Sequence, residues 1–143
     1  LDVFVKESKG RLGLVSVNAP LISNLNVLSN IALIKQYHQK VSGYDARQLG
    51  LQYMKRFGME NMAFKRNPAL THEERFCTML LRAVMVVDAL LVIDRPFQIL
   101  KDHGTARFIY DALKTVSDSY AECHIFDYSW NAQRYEMSHD QKH

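Results

Sequence analysis

The sequence predicts an α/β protein built on a parallel sheet, and three observations carry that expectation. Four apolar residues, Leu90 to Ile93, run without a break into Asp94. An unbroken apolar run suits a strand covered on both faces, the usual state of parallel sheets. A helical pattern over residues 106–116 separates this run from a short strand pattern at residues 123–126. Two strands joined by a helix favour a right-handed crossover and therefore parallel pairing. Three further stretches of helical periodicity precede the apolar run, so helices outnumber strands.

The 143 residues suit one domain large enough for a real core, and a hydrophobic content of 48% excludes a disordered chain. The net charge of +3 and the lack of a long Lys/Arg run give no basic stripe, so no nucleic acid is expected as a partner. Cys77 and Cys123 form no CxxC pair and no disulfide framework, which points to a reducing compartment. No signal peptide is visible, and the apolar runs are far short of a membrane span. The chain begins with Leu1 rather than Met and reads as processed or as a fragment.

Taken in order, residues 1–5 alternate weakly as a strand would. Residues 12–17, Leu-Gly-Leu-Val-Ser-Val, are a stronger strand pattern, ended by Asn18-Ala19-Pro20. Residues 23–26 read as loop. Val27, Ile31 and Ile34, with Leu28 and Leu33, then give a broad helical face, which Ser42-Gly43 breaks. Ser42 and Asp45 cap a second helix that buries Ala46, Leu49, Tyr53 and Phe57 and stops at Gly58. After a loop over residues 59–68, Thr71 and Glu74 form a clear capping box. The helix it opens turns Phe76, Leu80, Ala83, Val84 and Val87 inward, and Asp88 leads into the apolar strand. Gly104 precedes a helix with Ala106, Ile109, Leu113 and Val116 on one face. Residues 127–131 turn the chain, residues 132–137 start a last helix, and residues 138–143 are polar and expected to fray. His124 falls in the last strand pattern and is expected to be packed rather than catalytic.

Asp94 is the residue with most chemical promise. A carboxylate at the C-terminal end of a parallel strand lies where ligands of open α/β sheets bind. There it can hold Mg²⁺ through water, the Walker B role in P-loop nucleotidases. An aspartate that merely opens a turn before Pro96 explains the same residue.

Several segments together resemble the nucleotide-binding subunit of ABC transporters, over roughly residues 10–132. Asn24-Leu25-Asn26-Val27 stands where that family has His-Leu-Thr-Val after its Q-loop. Pro68-Ala69-Leu70-Thr71-His72-Glu73-Glu74-Arg75 stands for P-x-L-S-G-G-E-x. Leu81-Arg82-Ala83-Val84 matches A-R-A-L, and residues 91–97 match L-L-L-D-E-P-F. The resemblance implies a P-loop-nucleotidase-like parallel sheet fragment, in a single ABC-ATPase-like domain spanning 1–143. Residues of about 28–87 would form a helical subdomain, and about 88–137 the Walker B strand to the H-loop region.

The departures bear on activity. His72 and Glu73 replace the signature glycines, whose backbone approaches a phosphate held by the partner subunit. A side chain blocks that approach. At an effective dielectric of ~20, two like charges ~4 Å apart repel by about 4 kcal/mol, which outweighs the 0.3–1 kcal/mol or so that a helix N-terminus offers an anion. Thr71 keeps the signature hydroxyl, though capping alone accounts for it. The catalytic Glu after the Walker B Asp is Arg95, which cannot accept a proton at neutral pH. Arg95 is open to a phosphate or to Asp94, and a structural salt bridge is the simpler expectation. The Q-loop Gln falls on Val17, next to Asn18. The H-loop His falls on Phe126 or Asp127, and the D-loop Asp on Lys101. No GxxxxGK(S/T) loop occurs in these residues; in the family it lies well upstream of the Q-loop.

By that resemblance the candidate cofactor is Mg·ATP, met by Asp94, Thr71 and Arg95, with Asp94 holding Mg²⁺ through water. The expected partners are a transporter membrane subunit and a second ABC ATPase in a homo- or heterodimer. Leu21, Ile22 and Leu25, near the Q-loop position, are the candidate docking patch for the membrane subunit. The expected place is the cytoplasm, peripheral at the inner face of the membrane. The sequence thus favours a degenerate nucleotide-binding subunit or regulator, unable to hydrolyse ATP by itself. A nucleotide-independent scaffold, or part of an active ATPase whose P-loop lies elsewhere, are the alternatives.

Overall fold

The computed structural model describes residues 10–140. The expected strand over residues 1–5 lies outside the described residues, as do the last three of the expected frayed end. Three parallel strands form the sheet in the order β1-β2-β3: β1 is Leu12–Val15, β2 is Ala89–Asp94 and β3 is Tyr120–Phe126. All six residues of β2 are buried. The central position in the sheet explains why its sequence runs apolar rather than alternating. β1 pairs Leu12 with Leu90 through Val15 with Ile93, and β3 pairs Glu122 with Leu90 through Phe126 with Asp94.

Among the described residues, five α-helices accompany the sheet. α1 (Val27–His38) is capped by Asn26, whose side chain accepts from the Ser29 amide. α2 (Gly43–Arg56) is capped by Ser42 through the Asp45 amide. Gly58 ends the turn after α2 at φ 65°, a left-handed conformation that glycine adopts without a steric penalty. α3 (His72–Val84) has both halves of the expected capping box. α4 is Arg107–Thr115, with Ala106, Ile109, Leu113 and Val116 all buried. α5 (Ala132–Asp140) is longer than the sequence pattern implied.

Close approaches fix how these elements pack. A Cβ added to Gly13 would lie 2.5 Å from the Ala83 carbonyl oxygen and 3.0 Å from Leu91 Cδ2. Glycine therefore lets the end of α3 sit directly on β1. The core joins Val15 of β1, Leu28 and Ile31 of α1, Met54 of α2, Phe76 and Leu80 of α3 and Leu91 and Ile93 of β2. The far end of α2 is tied to the turn before β3. Arg56 pairs with Asp118 at 2.6 Å, and Tyr53 shares a hydrogen bond with Ser119 at 2.7 Å.

Three expectations change. Val87 is 58% exposed, because α3 ends at Val84 and the chain has left the helical face by then. His124 is largely exposed and pairs with Glu122 at 3.2 Å, because β3 borders β2 on one side only among the described strands. Residues 59–68 hold two short 3-10 turns, Glu60–Met62 and Asn67–Ala69, rather than plain loop.

Candidate functional site

The C-terminal ends of β1, β2 and β3 bring Ser16, Asp94, Arg95 and Tyr128 together. β2 delivers Asp94 into a pocket where only 5% of the residue is exposed. Ser16, just past β1, donates its hydroxyl to Asp94 Oδ2 at 3.1 Å and accepts from the Asn18 amide. Arg95 has φ 47° and ψ 59°, the left-handed conformation. Its amide donates to the Phe126 carbonyl at 2.7 Å, extending the contact between β2 and β3 by one residue. The left-handed turn folds its side chain back onto the residue before it. Nε donates to Asp94 Oδ1 at 3.1 Å and Oδ2 at 3.2 Å, and Nη2 to Oδ2 at 3.0 Å. The expected salt bridge between Asp94 and Arg95 is therefore formed.

The outer side of Arg95 is also held. Nη1 donates to the Tyr128 hydroxyl at 3.3 Å, and the Tyr128 ring stacks on Trp130 at 4.2 Å and 9°. The hydrogen bonds to Asp94 and then to Tyr128, with the Asp94 charge behind them, push the guanidinium pKa above its ordinary value. Arg95 stays a cation at any pH the fold meets.

In this arrangement Asp94 already faces a cation, and Mg²⁺ would have to compete with it. An ionised carboxylate offers about four lone-pair positions. Three donors already face the two oxygens: Ser16 Oγ, Arg95 Nε and Arg95 Nη2 all meet Oδ2, and Oδ1 shares the Nε hydrogen. Among the described residues, no cluster of three or more His, Cys, Asp and Glu side chains is placed to hold a metal.

Thr71 lies on another element. Its hydroxyl accepts from the Glu74 amide at 3.1 Å, while Glu74 Oε1 accepts from the Thr71 amide at 2.9 Å. Both partners are used in capping α3. The two residues in the signature-glycine positions are tied down as well. His72 Nδ1 lies 3.1 Å from Asp102 Oδ1, and His103 Nε2 lies 2.9 Å from Glu73 Oε2. These reciprocal pairs fasten the start of α3 to residues 102–103. The hydrogen bond with His72 is the main cause that lowers the Asp102 pKa.

The docking candidates separate. Leu21 is 5% exposed and belongs to the core, at the floor of a cleft of about 200 Å³ shared with His72, Arg75 and Met79. Ile22 is 40% exposed and Leu25 is half-buried. Buried Asn30 holds the loop that carries them: its side chain accepts from the Ile22 amide and donates to the Ile22, Leu25 and Asn26 carbonyls. Arg82 donates to the Pro20 carbonyl at 2.9 Å and to the Ala19 carbonyl. Phe64 is 81% exposed. The Val27 and Leu28 amides donate to the Lys65 and Ala63 carbonyls, which sets Phe64 beside the start of α1.

Ser16 and Phe64 were not singled out by sequence. Ser16 is hidden inside a strand pattern, and nothing in its neighbours marks it as a partner for a residue 78 positions away. Phe64 sits in a segment with no periodicity. Asp127, one of two positions for the H-loop histidine, instead accepts from the Tyr128 amide, Asn131 Nδ2 and the Tyr135 hydroxyl, and so anchors α5. Val17 is 39% exposed at the Q-loop Gln position, and Lys101 is exposed at that of the D-loop Asp.

No family model matches the chain, and no curated protein matches it. Solved structures do. The dimeric bacterial ABC transporter cassette MJ0796 superposes with a TM-score of 0.65 at 22% identity, over 95% of this chain and 61% of that one. A dimeric post-hydrolysis state of the ATP-binding cassette MJ0796, bound to ADP and phosphate, gives a TM-score of 0.62 at 22% identity, over 94% and 60%. The chain spans about three-fifths of the length of these cassettes. No helix among the described residues is long and apolar enough to cross a membrane. The order β1-β2-β3 and the capped α3 leading into β2 thus belong to the fold of the ABC transporter ATP-binding cassette, a P-loop nucleotidase architecture.

Proposed function

We propose that this chain is a degenerate ABC-type nucleotide-binding module, a subunit or regulator of a membrane transport assembly that does not hydrolyse ATP by itself. The observation that carries the proposal is Arg95. It stands where a hydrolytic cassette needs a general base, and its guanidinium cannot take a proton from water. Asp94, Thr71 and Arg95 would be what remains of the nucleotide site. The pairing of Glu73 with His103 at the start of α3 also opposes a phosphate there. Within this reading residues of about 28–87 serve as the helical subdomain and about 88–137 as the core from the Walker B strand onward. The module works in the cytoplasm, peripheral at the inner face of the membrane.

The membrane partner would meet Ile22 and Leu25, with Leu21 supporting them from below, and Phe64 beside the start of α1. A second ABC ATPase would complete the assembly as a dimer. A photo-crosslinker placed at Ile22 of the protein in its native membranes tests this reading. Capture of a polytopic transporter subunit from membranes is the expected result, and labelling of soluble proteins alone would overturn it.

The occupied Asp94 favours one other reading, a scaffold on the same fold that uses no nucleotide. A Mg·ATP titration followed by melting temperature separates the two, since a ligand that binds the native state alone must raise apparent stability. Saturable stabilisation of the assembled complex supports the nucleotide module. No shift up to millimolar nucleotide leaves the scaffold. An active ATPase that draws its P-loop from elsewhere would need a base other than Arg95, and turnover by the purified protein alone would favour it.

A further inference from the structure

We propose that the Arg95 guanidinium is the resident cation of Asp94, so that this strand end takes no divalent metal. The inference stands on the geometry of the carboxylate and holds whether or not the transport reading does. Three features of the chain converge on it.

The first is occupancy. Nε and Nη2 of Arg95 face the two Asp94 oxygens as a fork, and Ser16 fills the remaining approach to Oδ2. A fork on a carboxylate is the strongest arrangement available to an arginine. A hydrated divalent ion would have to compete with all three donors at Oδ2 and approach Oδ1 beside the Nε hydrogen. It would also meet the guanidinium charge within a few ångströms, in a pocket that leaves Asp94 almost dry.

The second is backbone. Adjacent residues on an extended strand point to opposite faces, so Arg95 could not reach Asp94 if β2 simply continued. The left-handed φ of 47° reverses the side chain, and the amide contact to Phe126 and the turn at Pro96–Gln98 hold it there. A non-glycine residue in that region carries a steric cost. The return for it is the ion pair.

The third is confinement. Tyr128, backed by Trp130, closes the outer side of the guanidinium, and Gln98 reaches the same hydroxyl at 3.5 Å. Arg95 is thus held from both sides.

Mn²⁺ titrations of the full chain, read by electron paramagnetic resonance, test the proposal. Wild type and Asp94→Asn are expected to give the same isotherm to millimolar Mn²⁺. Arg95→Gly suits the left-handed backbone and uncovers the carboxylate. It should tighten Mn²⁺ binding by about tenfold or more, since a positive charge leaves the site. The double variant Asp94→Asn with Arg95→Gly should lose that gain. If Arg95→Gly fails to fold, Arg95→Gln removes the charge while keeping most of the volume, and is read in the same way. Mn²⁺ broadening of the amide signals around residues 94–95 in wild type gives a reading that needs no variant, and none is expected. Wild-type binding that Asp94→Asn abolishes, local broadening in wild type, a folded Arg95 variant no tighter than wild type, or a gain that survives in the double variant would each overturn the proposal.

Discussion

Asn30 shows how much one buried polar side chain can organise. It is 1% exposed, and its amide closes four hydrogen bonds with the backbone between Ile22 and Asn26. Asn30→Ala would leave those groups without their partner, and stranding a buried polar group costs roughly 1–3 kcal/mol. Urea denaturation should show a loss of that size, with faster amide exchange at residues 22–26. A smaller loss without faster exchange would mean that water replaces the side chain. The cysteines give a second test at this scale. Burial, with Glu73 and Glu74 adding to it, pushes the Cys77 thiol up to about 12, and burial pushes Cys123 up to about 11. Neither is a ready thiolate at pH 8. A disulfide exchange reagent should label half-buried Cys123 slowly in the native protein and Cys77 only on unfolding.

At the scale of elements, local signals explain what could be read in advance. The Thr71 capping box and the Ser42 cap are complete within four residues of sequence, so α3 and α2 were legible at their starts. β2 was legible because burial on both faces removes polar residues from it. The helix lengths were less so. Val87 fits the period of α3 but lies past its end, and periodicity alone does not say where a helix stops. The Asp94–Arg95 contact was readable as an ion pair, but the left-handed backbone that permits it was not, since no glycine marks the turn. Ser16 and Phe64 owe their positions to pairings far away in sequence. Gly13 likewise gains its meaning only from α3. Gly13→Ala should cost about 1–3 kcal/mol, because the clash is with a backbone carbonyl that moves only if the helix moves. Thermal or urea unfolding measures it, and an unchanged midpoint would show that the end of α3 yields freely.

Across the whole molecule, surface ion pairs add ties between elements that already share the core. His72–Asp102 and Glu73–His103 fasten α3 to the segment before α4, and Arg56–Asp118 fastens α2 to the turn before β3. Their hydrogen-bonded partners, His72 and Arg56, hold Asp102 and Asp118 below the ordinary carboxylate range. A carboxylate with a lowered native pKa adds stability that is complete above its unfolded pKa of about 4. That contribution is lost as the pH falls through the lowered native value. The melting temperature should therefore drop on the acid side, and Asp118→Asn should flatten part of that drop while lowering stability at pH 7. An unchanged acid limb in the variant would mean the pair is too well solvated to matter.

The position of β3 has a consequence for how the protein behaves in the tube. With the order β1-β2-β3, the outer edge of a seven-residue strand has no described strand beside it. Unpaired strand edges are templates for association between molecules, and charged side chains on them are a common safeguard. Glu122 supplies such a charge at the middle of β3, with the polar His124 ring 3.2 Å from it. Replacing both with valine should leave the core intact and turn a well-dispersed sample into one that self-associates, visible as a rise in light scattering with concentration. Within the described sheet, the Glu122–His124 contact thus stands where one copy's edge would meet the next.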